Sequence, residues 1–147
     1  MITGLKFISS QTHSKRGQWI QRLLDDSLDK NSANLNDMNL TPHATALLGE
    51  AMNSFCAGNW VATIILVQAV LDVELATNEF LDGTYINKLR TGKDFVWLRN
   101  RRNRLVHADI STHSITEADI FDDDRNLEIE AQKSLKLIIT GLTRLSF

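Results

Sequence analysis

The sequence predicts an all-α protein, a helical bundle of four to five helices forming a single domain over residues 1–147. Three observations carry that prediction. Apolar residues recur at helical spacing through nearly the whole chain. There is one proline and seven glycines, and no Ser/Gly/Pro-rich linker or internal repeat divides the sequence. The 147 residues are 43% hydrophobic and 23% charged, the balance of one ordinary globular core.

The elements follow in order. A first helix is predicted over about Ser14–Asp29, with Trp19, Ile20, Leu23, Leu24 and Leu28 on one side. Residues 31–39 are polar and read as a loop. Thr41-Pro42 then supplies an N-cap followed by proline at the first helical position. From there Ala44, Leu47, Leu48, Ala51, Met52 and Phe55 form one apolar stripe, and Gly58 is a natural stop. The third helix, Asn59 to about Leu81, is apolar nearly all round as far as Leu71, so it belongs at the centre of the bundle. Its β-branched run Val61–Val67 also fits a strand, but Ala57, Ala62, Gln68, Ala69 and Leu71 continue a helix without a turn signal. Gly83 would end it, and Thr84–Leu89 adds a short helical turn. A fourth helix is predicted over about Asp94–Ala108. Residues 109–124 read as a loop with a short turn around Ile115–Phe121. The last helix, about Arg125–Arg144, carries Ala131, Leu135, Ile138, Leu142 and Leu145. Asp122, Asp123 and Asp124 precede it, where carboxylates favour the helix dipole.

Composition excludes several classes. Cys56 is the only cysteine, which rules out a disulfide scaffold and a multi-cysteine zinc site and suits a reducing cytoplasm. The net charge of −2 argues against a globally basic nucleic-acid binder. Met1–Leu5 lacks the basic-then-apolar layout of a signal peptide. The apolar stretch Trp60–Leu71 falls short of the roughly 20 residues that span a bilayer. A cytoplasmic location is the expectation.

Charge is nevertheless uneven. Lys88–Arg104 holds seven Lys or Arg and one Asp, whereas Glu117–Glu130 holds seven acids and one Arg. Such blocks suit two solvated surfaces, or a phosphate-binding face beside an acidic segment that screens it. On a helical wheel, Phe95, Leu98, Leu105 and Val106 share an apolar face, and Arg102 points into it. An arginine there needs a partner. Arg101 and Arg104 point away. Arg99, Asn103 and His107 form a polar stripe at i, i+4, i+8 along the flank, and His107 closes the helix.

Arg102-Asn103-Arg104-Leu105-Val106-His107 resembles the R-x4-6-H motif of the HEPN superfamily, the higher eukaryote and prokaryote nucleotide-binding domains, in which a polar residue often follows the arginine. Upstream, Ala51–Trp60 leading into Gln68-Ala69-Val70-Leu71-Asp72-Val73-Glu74 is similar to the family's helix-Gly-helix element. These matches cover about residues 44–107. The resemblance implies a HEPN-like bundle that dimerises so that two motifs face each other. It also implies a metal-independent endoribonuclease acting as the toxin of a toxin–antitoxin or phage-defence system. RNA is then the substrate, no metal or cofactor is needed, and a nucleotidyltransferase-like or other small antitoxin is the protein partner.

The residue types suit that chemistry. RNA supplies its own nucleophile, the 2′-OH. An imidazole can take or give the proton, and a guanidinium can grip two phosphate oxygens. His107 is assigned to proton transfer and Arg102 to the phosphate, as the catalytic pair. Asn103 and Arg99 bind or orient the phosphate or ribose. Glu74, on the apolar side of the central helix, is assigned as the buried partner of Arg102 in preference to a catalytic base. Asp72 is read as a surface residue, as are His13, His43 and His113. Trp97 either stacks on a base or packs against another helix or subunit. The alternative function is a non-catalytic HEPN-like module that binds nucleotide, RNA or a partner protein. A helical adaptor without a ligand is a more distant one.

Overall fold

Ser9 opens the first helix: its hydroxyl accepts the Thr12 N–H at 3.1 Å, so α1 runs over Ser10–Leu28, four residues earlier than apolar periodicity alone indicates. The computed structural model describes residues 3–78, 83–109 and 111–143. Asp29, in the left-handed region, closes α1. The following segment is not a plain loop. Asn34 and Asp37 form a capping box around a 3-10 turn, Leu35–Met38, that buries Met38 completely.

Thr41 caps α2 (Pro42–Cys56), accepting the Ala44 N–H at 3.2 Å. The turn at Gly58 has φ +80°, which favours glycine, and it reverses the chain into α3 (Trp60–Thr77). The expected continuation of this helix to Leu81 lies outside the described residues. Two shorter segments follow, α4 (Thr84–Thr91) and α5 (Lys93–Val106), and then α6 (Glu117–Phe121) and α7 (Arg125–Leu142). The expected positions of Arg144 and Leu145 also lie outside the described residues. Among the described residues there are seven α-helices and no strand: five long ones and two short ones, α4 and α6, at the two predicted helical turns.

The central position expected for α3 is observed. It packs against α2, α7 and α5, while α1 lies on α2 and α7. Ile64, Val67 and Val70 of α3 meet a core that includes Leu48 and Phe55 of α2, Leu98 of α5 and Leu135 and Ile138 of α7. Each such side chain contributes about 1.5–3 kcal/mol of burial. Over 18 residues at a mean hydropathy of 1.7, α3 is long and apolar enough to cross a bilayer by composition. That differs from the expectation from Trp60–Leu71, because the helix continues through Val73 and Leu75; here those residues pack against the core of the bundle.

The aspartates before α7 do more than face its dipole. Asp124 accepts the indole N–H of the buried Trp60 at 2.8 Å, tying α7 to α3. Asp123 pairs with Arg125 at 2.9 Å, and those hydrogen bonds bring its carboxyl down to about 2.

Candidate functional site

α5 carries the basic block, and two of its sides are covered. Leu98 is fully buried in the core, Phe95 and Leu105 pack against it, and Trp97 is capped by Lys133 of α7, whose Nζ lies 4.0 Å from the ring. The partner of Trp97 is thus a side chain of this same chain. Arg101, expected to point to solvent, instead donates from Nε to Glu130 on α7 at 2.8 Å and from Nη1 to the Ser114 carbonyl at 3.3 Å. Its side chain is only 11% exposed. The basic and acidic blocks therefore meet at this pair. Val106, expected on the apolar face, is 46% exposed where the helix ends.

Arg102 is half-buried, but its partner is not Glu74. Its Nη1 lies 3.3 Å from Asp72 Oδ2, and its Nε donates to Asn103 Oδ1 at 2.9 Å. Asp72 in turn accepts from the buried Gln68 through Oδ1 at 2.8 Å. Gln68, Asp72, Arg102 and Asn103 thus form a chain of polar contacts from α3 to the end of α5. Glu74 is buried, as its place on α3 suggested, and satisfied elsewhere. Its Oε1 accepts both the Thr41 N–H and the Thr41 hydroxyl at 3.0 Å, and its Oε2 accepts from Asn78 at 3.2 Å. Glu74 therefore fastens the start of α2 to α3 and does not support the motif arginine. Residues 72 and 74 differ by about 200° around a helix, so the register of the α3–α5 contact decides which carboxylate Arg102 meets.

Beyond Val106 the chain folds back. The Ser114 hydroxyl donates to the Arg104 carbonyl, and Arg101 holds the Ser114 carbonyl. Asp109 accepts the Ser111 N–H at 2.9 Å and its hydroxyl at 2.8 Å, and these bonds hold its carboxyl below its ordinary range. Between this loop and the end of α5 lies a cleft of about 970 Å³, lined by Asn103, His107, Arg104, Arg101, Asp109 and His113, among others.

Two of the expected site residues, Asn103 and His107, come together in this cleft, and the other three do not. Arg102 lies beside it, bonded to Asn103 but turned to Asp72. Arg99 donates to the Arg90 carbonyl at 2.8 Å and braces the end of α4. Glu74 is in the core. Among the described residues the imidazole of His107 and the guanidinium of Arg104 have no hydrogen-bond or ion-pair partner, so both are open to a ligand. Arg104 and His113 are among the cleft residues that sequence reasoning did not assign to the site. His113 follows His107 by six residues through a loop without periodicity, so no spacing rule reveals the approach.

No protein family, curated protein or solved structure matches this chain.

Proposed function

We propose that this chain is a HEPN-type, metal-independent endoribonuclease whose site is the cleft at the end of α5. The observation that carries the reading is the placement of Asn103 and His107 in one open cleft, with Arg102 fixed beside them by Asp72 and Asn103 itself. His107 transfers a proton at the ribose or at the leaving oxygen. Asn103, on the same side of the helix one turn earlier, hydrogen-bonds the ribose or phosphate. Arg104 adds the unpaired positive charge that a phosphate seeks. Arg102 stabilises the phosphate from the rim, since its 24% exposed side chain has Nη2 left over once Nε and Nη1 are engaged. A homodimer is part of the proposal. The exposed Val106 lies beside the cleft and supplies apolar surface for a second copy. A cytoplasmic toxin held by a small antitoxin is the biological setting we infer.

One observation favours a second reading. Arg102 does not line the cleft, and a site without its arginine binds more readily than it cuts. On that reading the chain is a non-catalytic module that takes RNA, nucleotide or a partner protein on Arg104 and the histidines. Purified protein incubated with single-stranded RNA in EDTA separates the two. The nuclease yields fragments ending in a 2′,3′-cyclic phosphate and a 5′-OH and leaves DNA of the same sequence intact. The binding module shifts the RNA without shortening it.

A further inference from the structure

Cleavage through the 2′-OH moves two protons. A base removes one from the nucleophile as the O2′–P bond forms, and an acid gives one to the 5′-oxygen as the P–O5′ bond breaks. Nothing is oxidised or reduced, and the base and acid end with their protons exchanged. A single imidazole per site leaves one of these transfers unassigned, which is why the motif alone calls for a second subunit.

The cleft holds a second imidazole. His113 is exposed and lines the same cleft as His107, on the loop that returns to the end of α5. The loop is held in that return by the Ser114 hydroxyl on the Arg104 carbonyl and by Arg101 on the Ser114 carbonyl. Among the described residues His113 has no hydrogen-bond or ion-pair partner that would occupy its ring. The other titratable or charged groups lining the cleft are His107, Asp109, Arg101 and Arg104. Asp109 is turned to Ser111 and Arg101 to Glu130, which leaves the two imidazoles as the groups free to exchange protons and Arg104 as the free cation. We propose that His113 is the second proton-transfer group of RNA cleavage, acting with His107 of the same chain. The inference rests on the endoribonuclease reading and changes what the dimer is for: a second copy then lengthens the grip on RNA and does not complete the acid–base pair.

The test is cleavage of single-stranded RNA by wild type, His107→Ala and His113→Ala across pH 5–9, with circular dichroism to confirm folding. His113 is exposed, so its removal leaves the melting curve unchanged. The expected result is a bell-shaped profile for wild type and a loss of about 10²–10⁴-fold in each variant. In His113→Ala the residual rate keeps only one limb of the bell, which a structural loss would not produce. An equimolar mixture of the two variants stays inactive, because no cleft then holds both rings. Full activity in His113→Ala with His107→Ala inactive overturns the inference and leaves the endoribonuclease reading standing. Recovery of activity on mixing also overturns it, by showing that the rings act across subunits. A wild type that cuts no RNA overturns the endoribonuclease reading, and the inference with it.

Discussion

Replacing Arg102 with alanine tests whether the motif arginine is a folding residue or a site residue. Had Arg102 been the partner of the buried Glu74, its loss would strand a carboxylate and cost about 3–5 kcal/mol. The observed contacts give a smaller figure. The pair with Asp72 is 3.3 Å long and joins a side chain 24% exposed to one 50% exposed. Pairs of that kind contribute about 0.2–1 kcal/mol, and the bond to Asn103 adds about 0.5–1.5 kcal/mol. Arg102→Ala should therefore cost about 1–2 kcal/mol, a melting temperature lower by about 3–6 °C for a domain of this size. Glu74→Ala should cost more, about 2–4 kcal/mol, because it removes the acceptor of the Thr41 N–H, the Thr41 hydroxyl and Asn78. Urea unfolding followed by circular dichroism gives both values, and a double-mutant cycle gives the coupling. Arg102 and Glu74 should be additive within about 0.5 kcal/mol. A coupling above about 1 kcal/mol between them, or a larger loss in Arg102→Ala than in Glu74→Ala, would refute the assignment of Asp72 as the partner.

Three further outcomes are expected. Trp60→Phe should destabilise by about 1.5–3 kcal/mol in urea, since it removes the indole donor that Asp124 accepts from at 2.8 Å. Gly92→Ala should destabilise by about 1–3 kcal/mol in the same assay, because a Cβ there would stand 2.5 Å from the Lys88 carbonyl oxygen and the α4–α5 corner would have to move. Asp123 has a folded value of about 2 against an ordinary 3.8, so its contribution is present above about pH 4 and is lost as the pH falls towards 2. An NMR titration of its carboxyl should show that midpoint, and Asp123→Asn should flatten the acid limb of the stability curve over the same interval.

Much of the fold was legible because local chemistry and periodicity agree. Thr41-Pro42 opens a helix and Gly58 closes the next turn whatever lies around them, and the uniformly apolar α3 has nowhere to go but the centre. Capping by Ser9 and the 3-10 turn that buries Met38 were not legible, since neither carries an apolar stripe. The candidate site was legible in part. Asn103 and His107 share the cleft because His107 caps α5 one turn beyond Asn103, with its N–H on the Asn103 carbonyl at 3.0 Å, a relation that spacing reports directly. The partners of the arginines were not legible. A helical wheel assumes one buried face, and α5 is covered by α3 on one side and α7 on the other, so Arg101 is held by Glu130 and Arg102 by Asp72. His113 reaches the cleft through a loop whose path is set by the Ser114 contacts, a tertiary fact with no periodic signature.

On the proposed reading, the cleft at the end of α5 cuts RNA through His107. The most direct test is the end chemistry of RNA incubated in EDTA with wild type and with His107→Ala. The expected result is 2′,3′-cyclic phosphate and 5′-OH ends from wild type, and intact RNA from a His107→Ala protein that melts with the wild type. Intact RNA with wild type, or the same fragments from His107→Ala, would contradict it.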